Sequence, residues 1–183
     1  MRRAIALALA AFTIGVAITG SATFTCSAQG PVDPARIITE LGGAGVTVAL
    51  GAGLLVTDPP TGLTFVSATV TTALAVEALK VTLGRARPYV PGENGRFTGP
   101  KLSGEYHSMP SGHTANAFAM ATVLADRYPE GAGLFYTLAG LVGASRIALG
   151  VHWPSDVVAG AAIGSYIGSR AVSGHIKILD LSQ

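Results

Sequence analysis

An all-α bundle of about six helices, set in a membrane, is the fold class that this 183-residue sequence predicts. Three observations carry it. Charged residues make up 12% of the chain and apolar residues 49%, with a mean hydropathy of +0.50; soluble globular domains carry about a quarter charged residues. Long uncharged runs alternate with short segments rich in Pro, Gly and charge. No stretch alternates polar and apolar residues for long enough to make a sheet. The 24 glycines, many alanines and only 7% aromatic residues suit helices that approach closely through small side chains. The same composition excludes disorder, which needs high charge and low hydrophobicity. A net charge of +2 argues against a nucleic-acid partner. One cysteine, Cys26, excludes an intramolecular disulfide framework and a cysteine-based zinc site.

The elements follow in order. Arg2 and Arg3 precede a charge-free run from Ala4 to Val32. A basic start, an apolar stretch and small residues near Ala22 and Ala28 mark residues 1–28 as a signal peptide or a first transmembrane helix. Thr23-Phe24-Thr25 is a poor context for lipidation, so Cys26 is read as inert. Pro31 and Pro34 break the chain. Leu41–Thr57 is uncharged, Asp58–Gly62 reads as a tight turn, and Pro59–Val76 is uncharged again. A polar segment rich in Gly and Pro runs from Gly84 to Pro110. Three apolar runs close the chain: Thr114–Ala125, Gly131–Ser145 and Val157–Ser169. Only the N-terminal run and Pro59–Val76 reach the roughly 18 residues that a spanning helix needs. The catalytic domain is expected over residues 36–172, followed by a tail over 173–183.

In a chain this poor in charge, clustered polar residues are informative. Lys80, Arg85 and Arg87 lie within eight residues. Lys80 and Arg87 are seven apart, which would put both on one helix face, and Pro88 ends the helix near Arg87. Such cations complement a helix dipole or flank a membrane helix; they also suit an anion site. Pro110-Ser111-Gly112-His113 opens an apolar run. Ser111 is a natural N-cap, and the free N–H groups behind it can cradle an oxyanion or phosphate. The plain alternative is a capped helix with an incidental histidine. In the third cluster, Ser145-Arg146 precedes His152 and Asp156, which are four apart, with Pro154 suited to a first helical turn. Asp156 is placed to accept the imidazole N–H of His152, or simply to make a surface salt bridge. Taken together, the clusters supply several cations, a helix N-terminus and two histidines, one with a carboxylate partner. Phosphoryl transfer through a phosphohistidine needs that set: cations neutralise the equatorial oxygens, one imidazole attacks and another protonates the leaving oxygen.

This arrangement resembles the type 2 phosphatidic acid phosphatase (PAP2) superfamily, which includes bacterial class A acid phosphatases and vanadium haloperoxidases. Its pattern is K-x6-RP, then PSGH, then SR-x5-H-x3-D. All eleven fixed positions are present in order, from Lys80 and Arg87-Pro88, through Pro110-Ser111-Gly112-His113, to Ser145-Arg146, His152 and Asp156. The resemblance covers Lys80 to Ser169; the segment before Lys80 carries no motif. It implies an all-helical fold with the active site at one end of the bundle. It further implies that Lys80, Arg87 and Arg146 bind phosphate with help from the Ser111 hydroxyl and the Gly112 backbone. His152 would be the nucleophile, Asp156 its orienting partner, and His113 the acid that protonates the leaving group and then the base for water. No metal or other cofactor is implied. Arg85 falls in the variable spacer and stays outside this set. His107 is read as loop, His175 as solvated tail, and Trp153 as an interface anchor or a packing residue.

The expected activity is hydrolysis of phosphate monoesters or diphosphates. The expected substrates are lipid phosphates such as phosphatidate, phosphatidylglycerophosphate or undecaprenyl diphosphate, with the membrane as the one partner surface and no protein partner indicated. Secreted acid phosphatase activity on soluble esters is the alternative, and a vanadate-dependent haloperoxidase or a membrane protein with a decayed site stand behind it. If the N-terminal run is retained, Arg2 and Arg3 place it inside. Counting spans then puts Asp58–Gly62, Arg127 and Arg170 inside, and all three motif clusters outside, at the periplasmic or extracellular face.

Overall fold

The computed structural model of the chain describes residues 33–178. The expected N-terminal helix or signal, with Arg2, Arg3 and Cys26, and the last residues of the tail lie outside the described residues. Six α-helices follow: α1 Pro34–Glu40, α2 Ala44–Thr57, α3 Pro59–Leu83, α4 Gly112–Arg127, α5 Ala132–Ala148 and α6 Pro154–Val172. Short 3-10 turns occupy Gly104–Tyr106 and Pro129–Gly131. Among the described residues there is no strand, only isolated bridges from Arg85 to Phe97 and to His107. The fold class is the predicted all-α bundle.

Helix starts follow local chemistry. Pro34, Pro59 and Pro154 stand in the first turns of α1, α3 and α6, where the missing N–H costs nothing and φ is already set. The turn expected over Asp58–Gly62 contracts to Asp58 alone, because Pro59 and Pro60 serve as the first residues of α3. Helix α1, which no charge-free run announces, is capped by the Asp33 carboxylate, which accepts from Ala35 N at 2.9 Å.

One helix end corrects the sequence reading. α3 stops at Leu83, so Arg87 does not share a helix face with Lys80. Gly84 turns left-handed at φ 52°, and a Cβ there would lie 1.8 Å from the carbonyl oxygen of Gly99. Both the dihedral and the contact demand glycine. Beyond it, residues 85–87 run through bridged loop backbone, so Arg87 comes to the site from a loop while Lys80 comes from the helix.

Helix α4 sits at the centre, against α3, α5 and α6, while α2 packs on α3 and α1 on α5. The core joins Leu54 and Phe65 to Ala117, Met120 and Val142. Against α6, α4 presents the buried Ala115 and Ala119. Gly160, Gly164 and Gly168, spaced by four, line the facing side of α6. A Cβ at Gly164 would sit 2.0 Å from Ala115 O. Gly164→Val should therefore destabilise the fold by about 3 kcal/mol or more, the upper end for overpacking; thermal unfolding in detergent reads it. A melting point equal to the parent's would mean that the helices are not in contact here.

The bundle has two distinct ends. Asp58, between α2 and α3, accepts from Arg127 Nε at the end of α4 at 2.7 Å. The C-terminus of α3 meets the N-terminus of α4 at the other end, where a Cβ on Gly112 would lie 3.2 Å from Lys80 Nζ. Two segments, Pro34–Thr57 and Pro59–Leu83, are long and apolar enough to cross a membrane.

Candidate active site

The three motif clusters meet at the second end. Ser111 occupies the N-cap position of α4, as predicted, but its hydroxyl makes no capping bond. It accepts instead from Thr114 Oγ1 at 2.9 Å. The N–H groups of the first turn have no intrahelical acceptor in any α-helix, so this end offers an uncapped positive pole. The backbone N–H of Ser111 donates to the carbonyl of Asp156 at 3.0 Å, which locks the start of α4 to the start of α6.

The cations surround that pole. Lys80 stands beside Gly112, with its ammonium also on the exposed Glu77. Arg87 is held by Nε donating to Gly104 O at 3.0 Å. Arg146, near the end of α5, donates from Nη1 to Thr39 Oγ1 of α1 at 2.7 Å. Among the described residues Arg146 Nε is buried and meets no acceptor. Leaving a buried donor unpaired costs roughly 1–3 kcal/mol. An anion seated between Arg146 and the helix N-terminus would remove that penalty. His113 lies in the first turn of α4, half-buried, within electrostatic reach of Arg146, His152, Lys80 and Arg87.

His152 lies in the connection between α5 and α6 and is 4% exposed. The sequence placed its N–H on Asp156; the structure sets a shorter bond first. Nδ1 is 2.7 Å from the carbonyl oxygen of Ser108 and 3.6 Å from Asp156 Oδ2. A carbonyl only accepts, so Nδ1 carries the proton and Nε2 keeps its lone pair. Burial is the main influence holding the imidazole below its ordinary pKa. Asp156 pulls it up, and the charges of Arg87 and Arg146 push it down again. The neutral, nucleophilic form therefore persists to more acidic pH than in a free imidazole.

Asp156 is fully buried and serves several donors. Ser108 Oγ donates to Oδ2 at 2.6 Å, Trp153 N donates to Oδ2 at 2.8 Å, and Arg85 Nη1 donates to Oδ1. Sequence reasoning missed three of the residues in this region. Arg85 lies in the spacer of the first motif, Ser108 two residues before the second, and Thr39 in a segment with no motif. The signal available for Arg85 was its charge in a chain with only 12 basic residues. Trp153 packs rather than protrudes: Nε1 donates to Ala86 O at 2.9 Å and its ring lies against Gly95. His107 Nε2 is 2.9 Å from Lys101 O in the loop, and His175 is exposed.

The family model described as the PAP2 superfamily matches residues 61–177. The lipid A 1-phosphatase of Rhizobium johnstonii is 36% identical over 95 residues, which cover 51% of this chain and 39% of that relative. The match thus spans about two fifths of the relative's length. The crystal structure of Aquifex aeolicus LpxE superposes with a TM-score of 0.66 and 29% identity, covering 76% of this chain and 83% of that one. A transmembrane PAP2-type phosphatidylglycerolphosphate phosphatase from Bacillus subtilis superposes with a TM-score of 0.60 and 25% identity, covering 97% and 94%.

Proposed function

Because the chain belongs to the PAP2 superfamily, we propose that it is a phosphatase that hydrolyses lipid phosphates through a phosphohistidine, with residues 36–172 as the catalytic domain. The observation that carries this reading is the buried, unpaired Nε of Arg146, within electrostatic reach of His113 in the first turn of α4, where the uncapped helix N-terminus lies against the Lys80 ammonium. Those groups share one need, an anion with several oxygens. Lys80, Arg87, Arg146 and the N-terminus of α4 at Ser111 and Gly112 hold the phosphoryl group. Nε2 of His152 attacks phosphorus, forming an N–P bond as the P–O bond to the leaving group breaks. His113 gives its proton to the leaving oxygen. Water then attacks phosphorus, His113 takes the water's proton, and the N–P bond breaks to release phosphate. Cations on side chains neutralise the equatorial oxygens.

Lipid substrates fit the outer surface of the bundle. Val48 and Val56 on α2, Leu74 on α3, Leu134 on α5, and Val158 and Tyr166 on α6 are all exposed. In water, so many outward apolar side chains are a liability; in hydrocarbon they are the ordinary surface. The names of the compared proteins, a lipid A phosphatase and a phosphatidylglycerolphosphate phosphatase, support the same class. Counting spans from Arg2 and Arg3 at the head of a retained N-terminal run supports a site at the periplasmic or extracellular face.

A phosphate-release panel of lipid and soluble esters, run with and without detergent, tests the reading. Turnover of lipid phosphates is expected, and release from soluble esters alone would favour the secreted acid phosphatase. Release from none would refute the phosphatase. In the same assay orthovanadate, five-coordinate like the transition state, should compete with substrate and bind ~100-fold or more tightly. EDTA should leave the rate unchanged. Loss of activity in EDTA that Mg²⁺ restores would contradict a site built on side-chain cations.

A further inference from the structure

Arg85 takes no part in the proposed phosphoryl transfer, yet the fold holds it with many contacts. Its side chain is 14% exposed and paired with the wholly buried Asp156. Nη1 also donates to Ser155 Oγ at 2.6 Å, and Nε donates to Gly95 O at 3.2 Å. The guanidinium lies 5.0 Å from the Phe97 ring centroid and 5.8 Å from that of Trp153. These partners commit Nε and Nη1 to protein acceptors, unlike Arg146, whose Nε is unpaired.

The contacts converge on Ser108. The Ser108 N–H donates to the Arg85 carbonyl at 3.1 Å, and its hydroxyl donates to Asp156, the carboxylate that Arg85 pairs. Ser108 is thus gripped at both its amide and its side chain by the Arg85–Asp156 pair. Its remaining polar group, the carbonyl oxygen, is the acceptor for His152 Nδ1. A buried ion pair contributes little net stability, but it fixes geometry. We propose that Arg85 is a positioning residue: with Asp156 it clamps Ser108 so that the Ser108 carbonyl holds the proton on His152 Nδ1 and leaves Nε2 as the attacking atom. This rests on the reading of His152 as nucleophile. Asp156 then acts on His152 chiefly through Ser108, not by the direct bond that the spacing of four suggests.

The test uses the full chain in detergent, with Arg85→Ala, Arg85→Lys and Ser108→Ala compared with wild type. Loss of a positioning partner should lower kcat between ~10-fold and ~100-fold, while KM and the inhibition constant of orthovanadate stay within about threefold of wild type, since the phosphate ligands are untouched. Millimolar guanidinium should restore part of the Arg85→Ala rate. Ser108→Ala keeps both the ion pair and the carbonyl, so it keeps the test open should Arg85→Ala fail to fold. The ¹⁵N shifts of labelled histidine, assigned with His152→Gln, should report an Nδ1–H tautomer in wild type and a mixture in the variants. A kcat within threefold of wild type in both Arg85→Lys and Ser108→Ala would overturn the proposal. So would a vanadate constant that rises in step with the loss of kcat, which would make Arg85 a phosphate ligand. If wild type releases no phosphate, the phosphatase reading fails separately, and the tautomer still decides the clamp: an Nε2–H form in wild type overturns it.

Discussion

Replacing His152 with Ala should remove turnover by on the order of 10⁴-fold or more, because the covalent step has no second nucleophile to fall back on. The imidazole is buried and its Nδ1 proton is held by the Ser108 carbonyl, which leaves the lone pair on Nε2, the atom proposed to attack. In the proposed mechanism His113, in the first turn of α4, serves the leaving oxygen and would not substitute for His152. The residual rate should come from phosphate binding alone. Initial rates of phosphate release measure this, with a melting curve to show that the variant is folded. Folded His152→Ala protein working at the parental rate would remove the nucleophile from the account.

The second large effect belongs to Arg146. Arg146→Ala should lower kcat by ~10³-fold, the scale on which an arginine at a transferring phosphoryl group acts. The loss should fall on kcat more than on KM, since charge on the equatorial oxygens is met most strongly in the transition state. Arg146→Lys should recover only part of it. An ammonium can restore a point charge but cannot both donate to Thr39 Oγ1, as Nη1 does, and present a second fixed donor in the direction of Nε. Steady-state kinetics on the two variants check this. An unchanged kcat with a raised KM would reduce Arg146 to a ground-state binding group.

The sequence made the helices and the motif legible for a physical reason. Uncharged runs bounded by proline and glycine are local signals, and α2 to α6 are read from them. The alternation of ends was legible too: Asp58 and Arg127 meet at one end, while Lys80 and Gly112 meet at the other. What stayed hidden depends on contacts between distant segments. The left-handed Gly84, which ends α3 before Arg87, is set by the approach of Gly99. Thr39 reaches Arg146 across 107 residues, and Ser108 reaches Asp156 across 48. The bond from His152 to Ser108 is to a main-chain carbonyl, a group that every residue carries. No residue-type pattern can single it out. The Asp156 spacing was visible and correctly placed the carboxylate near His152, but spacing alone could not show that Arg85 and Ser108 hold it.

Transfer of phosphorus to His152 is the step on which the proposed mechanism turns. The direct measurement is rapid acid-free quenching of the detergent-solubilised enzyme during turnover of a ³²P-labelled lipid phosphate, followed by mapping of the labelled peptide. The expected label is lost in acid and retained in alkali, as a phosphoramidate should be, lies on the peptide that contains His152, and is absent from His152→Ala. Label on another residue, an acid-stable label, or turnover that leaves no phosphoenzyme even when dephosphorylation is slowed by His113→Ala would contradict it.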